Sequence, residues 1–429
     1  MADTAARVFR LGGPSIAVGT VETAFPALFT EQYSIALRRL RDTVPQDATA
    51  ATLSVSGRLV GVTEIPPAYV SLLVRPEAFW LRIDQKDGTA RLTAVDERGL
   101  LQGVNRLTQM LTRGGSQLSA GEVIDWPAHN RRALHIVLQD VSPRMIRRVI
   151  DDASRAGFNT LVMQLADAVD VGSPHLPLRS NALTKRQFLS VVAYARGSGL
   201  EVIPEIKLLS HQEKFFGTAH PNLMFNKVTY DPRQDEVYKI VFDYLDRVIA
   251  LLQPKAIHIG HDELMGSTVE QQERFLNPGE RILPPELYLL DVKKVQAYLK
   301  DREVAVWIWG DMLLSVDEFP DMRPQNIMGD SSYAALRKQL PKELLICDWH
   351  YRDMNNFPSA AMFVAEGFDV LGVTWKKEET VRSFSRYISE LGPQADGMIA
   401  TIWFHLRRRE WKLVTRIIRI SGDAYWYAN

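Results

Sequence analysis

The sequence predicts an α/β fold, a (β/α)8 TIM barrel preceded by a small α+β domain, and three observations carry that prediction. The first is a strand-then-helix rhythm through the last ~300 residues, which is enough for a barrel of roughly 250 residues with insertions. Apolar runs at 133–139, 159–165, 200–206, 255–260, 304–310, 344–348, 369–374 and 397–402 read as continuous Val/Ile/Leu stretches. That is how parallel strands buried on both faces are written. Amphipathic segments at 143–156, 184–195, 235–252, 285–300, 378–391 and 409–425 follow most of them. After Gly310 the helical signal is weakest, and only 333–340 looks helical. The second observation is the absence of a phosphate-binding loop. Gln139-Asp140-Val-Ser-Pro143 after the first strand is no glycine-rich fingerprint, which weakens the competing doubly wound sheet. The third is a change of pattern before residue 125. There, short alternating strands (69–74, 79–83, 90–94) and two amphipathic helices (24–41, 97–112) suggest a separate α+β unit. Asp125-Trp-Pro127 punctuates the join, so the expected domains are 1–125 and 126–429.

In such a barrel the chemistry sits at the carboxyl ends of the strands. Those ends supply, in order, Asp140, then Gln164 and Asp167, Glu205 and His211, Asp262 and Glu263, Trp309 and Asp311, Trp349 and Tyr351, Trp375, and finally Trp403 and His405. Four of the chain's nine tryptophans stand at these ends. Indole faces beside a few carboxylates suit a pyranose ring, whose flat C–H faces stack while its hydroxyls hydrogen-bond. The most informative stretch is His258-Ile-Gly-His261-Asp262-Glu263. Neighbouring strand residues point to opposite faces, so adjacent acids serve one site only where the strand ends and the backbone re-aims them. Two carboxylates in a shielded cleft divide their titrations, one kept protonated and one ionised. That division matches glycosidic cleavage, where one group donates a proton and another charge stabilises an oxocarbenium-like centre.

Composition narrows the partners. Lys plus Arg equals Asp plus Glu at 51 each, so nothing recommends nucleic acid or an anionic membrane surface. No apolar segment approaches the ~20 residues of a membrane span. The start, Met1-Ala-Asp-Thr-Ala-Ala-Arg-Val8, lacks the apolar core of a secretory signal, and the single cysteine, Cys347, allows no internal disulfide. Cytoplasmic residence is the expectation; the oligomeric state is left open.

Several stretches resemble glycoside hydrolase family 20 β-N-acetylhexosaminidases. They are Gly99-Leu-Leu-Gln-Gly103 through Leu111, Arg132-Ala-Leu, Asn159 through Asp167, Val202-Ile-Pro-Glu-Ile206 with His211, His258 through Glu263, Trp309-Gly-Asp311, Tyr351-Arg-Asp353 and Trp403. The resemblance implies an exo-acting enzyme on terminal GlcNAc or GalNAc that needs no cofactor and no metal. Its implied mechanism is retaining and substrate-assisted, with the 2-acetamido oxygen as nucleophile. Glu263 would be the acid/base and Asp262 the partner of the acetamide N–H. Tyr351 would donate to the acetamide oxygen, and Trp309, Trp375 and Trp403 would wall the sugar. Arg132 and His405 would bind its hydroxyls, while Asp167, His211 and His258 would support the acids. The chain departs from the family at Val137 (an Asp there), Gln164 (a His) and Trp403-Phe-His405, where the family reads Trp-x-Glu. The lost Glu motivates a second reading, a family member that binds amino sugars with little turnover. A third is a metal-dependent barrel hydrolase using His258, His261 and Asp262.

Overall fold

The computed structural model describes residues 7–45, 47, 49–264, 270, 272–273, 276–322, 326–354 and 356–429. Five strands build the smaller sheet: β1 (Val8–Ala24), β2 (Ala51–Leu59), β3 (Phe79–Asp84), β4 (Thr89–Ala94) and β5 (Gln117–Asp125). Their pairings close on themselves in the order β1-β2-β4-β3-β5, with β1–β2 and β2–β4 parallel and the rest antiparallel. The helix Glu97–Arg113 packs its Leu100, Val104 and Leu107 face into this sheet's core. Asp96 caps it by accepting the Gly99 N–H at 2.6 Å, satisfying one of the donors that a helix start leaves open.

The small domain departs from the sequence expectation in three places. Residues 69–74, expected as a strand, form a helical turn (Pro67–Tyr69, then Val70–Leu73). Pro66-Pro67 sets backbone angles suited to a helix start, and Leu72 and Leu73 are buried from it. Expected helix 24–41 is two, Ala27–Gln32 and Ser34–Arg41, meeting at Tyr33. Strand β1 is hidden in the sequence by Gly12-Gly-Pro14, which break its alternation; there its register against β5 shifts between Leu11 and Ser15.

Eight parallel strands close the barrel: β6 (Arg131–Val137), β7 (Thr160–Gln164), β8 (Glu201–Leu208), β9 (Ala256–Gly260), β10 (Ala305–Trp309), β11 (Leu345–Trp349), β12 (Asp369–Thr374) and β13 (Ala395–Ile402). Alternate residues face in and out. Ala133, Val162, Ile203, Ala256, Leu371 and Ile399 fill the interior, while Leu134, Ile136, Leu161 and Val202 meet the surrounding helices. In the weak segment after β10 the described helical pieces are short, Asp311–Leu313, Ser331–Ala334 and Ala335–Lys338, and a helix at Pro358–Ala365 follows β11. No described helix is long and apolar enough to cross a membrane.

Arg132 corrects one expectation. It lies near the amino end of β6, opposite the mouth where sugar would bind, and is 1% exposed. Its guanidinium is bonded to the Glu77 carboxylate of the small domain and donates to the Gly157 and His129 carbonyls at 2.7 Å each. It therefore ties the barrel floor to the small domain, buried at the far end of the barrel from the mouth. Breaking a buried ion pair strands the remaining charge, at a cost of about 3–5 kcal/mol. Arg132→Met should accordingly lower the denaturation midpoint strongly, while the protein that remains folded keeps its ligand affinity; calorimetry and denaturant titration of the same preparation check both.

Candidate active site

The mouth of the barrel is built where β8 and β9 end. Backbone φ is positive at Gly260 (77°), His261 (66°) and Glu263 (54°), and again at Leu209 (63°) and His211 (56°). Left-handed conformations cost a non-glycine residue about 1–3 kcal/mol each and gather at functional sites. Here they reverse the strand alternation, so that Asp262 and Glu263 face one cavity while His261 turns outward. His261 is spent on Asp291 (2.8 Å) and the Ile259 carbonyl (3.1 Å).

The cavity, about 220 Å³, is lined by Lys207, His211, Asp262, Glu263, Trp309, Trp349, Tyr351 and Trp403. His211 stands between the acids, with Nε2 3.3 Å from Asp262 Oδ2 and 3.6 Å from Glu263 Oε2. Ser210 Oγ lies 3.4 Å from the other Asp262 oxygen. Beneath them Asp311, buried, accepts the Glu263 backbone N–H at 2.9 Å and the Trp349 indole N–H at 3.3 Å. Burial alone would raise Asp262, but the neighbouring charges of His211 and Lys207 hold it well below the ordinary carboxylate range. Asp311 goes the other way, pushed far up by burial and then by the Asp262 charge. Asp262 is thus biased toward the ionised form and Asp311 toward the protonated one, and the two titrate as a pair.

Opposite the acids is an aromatic wall. Tyr351 stacks on Trp349 at 4.9 Å and accepts the Trp403 indole N–H at 2.8 Å. Burial raises the Tyr351 phenol, so it stays protonated and its O–H is a donor. Trp309 and Trp403 meet at 5.7 Å between ring centres. Under this floor, inside the barrel, Glu205 accepts the Trp309 N–H at 3.3 Å and the Gln164 amide at 3.2 Å, and is bonded to His135. Although burial opposes it, the facing His135 holds Glu205 down at about 2. His258 Nδ1 accepts the Gly260 N–H at 3.1 Å, and its ring lies 4.3 Å from Trp309.

The structure therefore brings together Glu263, Asp262, His211, Tyr351, Trp309 and Trp403 from the expected set. Trp375 does not line the cavity: it stands behind, edge-on to Tyr351 at 5.8 Å, and Trp349 takes the wall position instead. His405 is also outside, with Nδ1 against the Gln139 carbonyl at 3.0 Å. Asp167 follows Ala166 (φ 41°) and pairs with Arg179 at 3.0 Å instead of orienting Glu263. His258 supports Trp309 from below and stays apart from the acids. The set His258, His261 and Asp262 does not converge, so it cannot share one metal. Among the described residues, His211, Asp262 and Glu263 are the group whose ligand atoms lie close enough, within 4.8 Å, to hold a cation. Sequence reasoning missed Lys207 altogether, although inward alternation along β8 through Ile203 and Glu205 leads straight to it.

Barrel, acid pair and indole wall together have the layout of a glycoside hydrolase site. The model of the glycosyl hydrolase family 20 catalytic domain matches residues 140–372, more than half of the chain. The chain belongs to that family. Curated relatives include beta-hexosaminidase subunit A2 of Dictyostelium discoideum, 26% identical over 211 residues (44% of this chain, 38% of that protein). A beta-hexosaminidase of Akkermansia muciniphila is 23% identical over 279 residues, covering 56% of this chain and 53% of that one. The chain thus spans about half, or less, of the length of these relatives. Among solved structures, a beta-N-acetylhexosaminidase from Bacteroides fragilis superposes with a TM-score of 0.69 at 17% identity, covering 97% of this chain and 89% of that one. A mutant Streptomyces plicatus beta-hexosaminidase, in complex with the product GlcNAc, gives 0.63 at 16% identity, with 97% and 88% covered.

Proposed function

We propose that this chain is an exo-acting β-N-acetylhexosaminidase that removes terminal non-reducing GlcNAc or GalNAc with retention, using the substrate's own acetamide as nucleophile. One observation carries the reading: Asp262, whose titration its neighbours hold low, and Glu263 line one small aromatic-walled cavity together with Tyr351. An amide needs an acceptor for its N–H and a donor for its oxygen, and Asp262 and Tyr351 have those opposite characters. The acetamide oxygen bonds to the anomeric carbon as the glycosidic bond breaks, and Glu263 delivers its proton to the leaving oxygen. An oxazolinium ion results, its positive charge offset by the buried Asp262. Glu263, now a base, takes a proton from water as water opens the ring at the anomeric carbon. Two inversions give retention, and no carboxylate ester forms.

A panel of p-nitrophenyl glycosides with and without the 2-acetamido group tests the reading. Turnover confined to the acetamido members, unaffected by a chelator, is the expected result. Binding of amino sugars without turnover would favour the binding-protein reading, and loss of activity on chelation would favour a metal.

The pH profile follows from the acid pair. Asp262 is depressed, so its charge is kept as pH falls through the usual carboxylate range near 4 and is lost only below it. The acid limb of kcat/KM should therefore lie below pH ~4, with any alkaline limb reporting loss of the Glu263 proton. An acid limb at pH 5 or above would remove Asp262 from that role.

A further inference from the structure

A second cavity, of about 440 Å³ against about 220 Å³ at the mouth, lies at the floor end of the barrel on the seam with the small domain. Gly157, whose carbonyl holds Arg132, lines it shortly before β7 begins. None of its residues takes part in the reaction above. Helix Glu97–Arg113 contributes Gln102, Asn105, Arg106, Gln109, Thr112 and Arg113, which helical spacing gathers into one stripe. Facing them are Asp152 and Arg155 at the end of helix Pro143–Arg155, with Ile418, Arg419 and Trp426 on the last helix, Trp411–Tyr427. The apolar stripe of helix Glu97–Arg113, through Leu100, Val104 and Leu107, is already spent on the sheet core. Its polar stripe, which an amphipathic helix normally gives to water, is here partly roofed by the barrel. Gln102 and Asn105 are each only 3% exposed.

The polar groups of this seam are incompletely used. Asn105 receives one long bond, from Ser154 Oγ at 3.5 Å, and among the described residues its side-chain NH2 has no acceptor. A buried donor without a partner is uncommon and calls for something to complete it. The charges do not balance either. Arg106, Arg113, Arg155 and Arg419 line the cavity against Asp152 and Asp423. Arg106 is paired with Asp125, Arg155 with Asp152, and Asp423 with Arg382 outside the cavity. Among the described residues no carboxylate pairs with Arg113 or Arg419, both exposed at the rim. Two uncompensated guanidiniums match a dianion, and a phosphomonoester carries about −1.5 to −2 charge at neutral pH with oxygens that suit the guanidinium fork. Deeper in, carboxamides beside the buried Ile418 and Trp426 suit a hydroxylated ring, since an amide both donates to and accepts from hydroxyls while an indole covers C–H groups.

We propose that this seam is a binding site for a small phosphorylated sugar, its phosphate held by Arg113 and Arg419 and a ring oxygen or hydroxyl by the Asn105 amide. The site is separate from the barrel mouth and independent of the reaction read there. Its test uses the full chain at pH 7 in titration calorimetry, with glucose 6-phosphate, glucose and inorganic phosphate as probes.

Glucose 6-phosphate should bind at a single site, and glucose and inorganic phosphate, each supplying half of the contacts, at least roughly 10-fold more weakly. Changing Arg113→Gln and Arg419→Gln together should weaken glucose 6-phosphate by roughly 10- to 100-fold, and Asn105→Leu by roughly 2- to 10-fold, the ranges of charge-assisted and neutral hydrogen bonds. Arg41→Gln, at an exposed arginine outside the cavity, should change nothing. Saturating N-acetylglucosamine should leave the affinity unaltered, and the thermal midpoint should rise with glucose 6-phosphate, as for any ligand of the folded state. Circular dichroism establishes that each variant is folded; should Asn105→Leu not fold, the paired arginine substitutions at exposed positions decide alone. Binding of glucose 6-phosphate no tighter than that of inorganic phosphate overturns the proposal, and so does binding that survives loss of both guanidiniums. Displacement by N-acetylglucosamine would place the phosphorylated sugar at the mouth and overturn it as well.

Discussion

Glu263→Gln should reduce turnover of a chitobiose-type substrate by roughly 10²–10⁴-fold, the usual contribution of a positioned acid or base. The amide keeps the shape of the side chain but carries no proton that it can release to the leaving oxygen. The substitution leaves the backbone bond from residue 263 to Asp311 in place, because that bond uses the main-chain N–H and not the carboxyl group. Circular dichroism and the thermal midpoint should therefore be unchanged. Leaving-group dependence separates a chemical role from a structural one. A p-nitrophenolate departs without help, so the first step on aryl glycosides should fall far less than on the disaccharide. Equal losses on both substrates would point to a damaged site, and an undiminished rate on chitobiose would take Glu263 out of the mechanism.

How much of this is legible in the sequence depends on how local the signal is. The eight barrel strands can be read because burial on both faces writes an unbroken apolar run, and Asp262-Glu263 stands out at the end of one of them. Arg132 is misplaced for a geometric reason: a residue's type says nothing about which end of the barrel its side chain serves, and Glu77, its partner, lies 55 positions away in the other domain. Trp349 and Trp375 stand at adjacent strand ends and look equivalent in one dimension. Only the stacking of Tyr351 decides that the first lines the cavity and the second stands behind. Asp167 is lost to the site beside a left-handed residue, Ala166, which no composition rule announces. The small domain is harder still, because its longest strand carries Gly-Gly-Pro in its first half.

Asp262→Asn should cost about 10²–10³-fold in kcat, comparable with removing one preorganised group that stabilises developing charge. The structure sharpens why. Burial and the Asp262 charge push the Asp311 titration up, while, against its own burial, the charges of His211 and Lys207 hold that of Asp262 low. An amide there leaves the cation of the cyclised intermediate without its counter-charge. It also relieves Asp311 of the neighbouring charge that helps hold its titration high, so the acid limb set by Asp262 should vanish from the residual pH profile. The ground state loses less than the transition state, so KM should move little while kcat falls. A thiazoline analogue of N-acetylglucosamine, which resembles the cyclised species, should inhibit the wild type strongly and the asparagine variant much more weakly. Plain β-glucosides, with no acetamide to attack, should be almost inert with either protein. Substrate assistance would have to be abandoned if β-glucosides were cleaved as fast as their 2-acetamido counterparts, or if a fluoro-sugar trapped an ester on any carboxylate of the cavity.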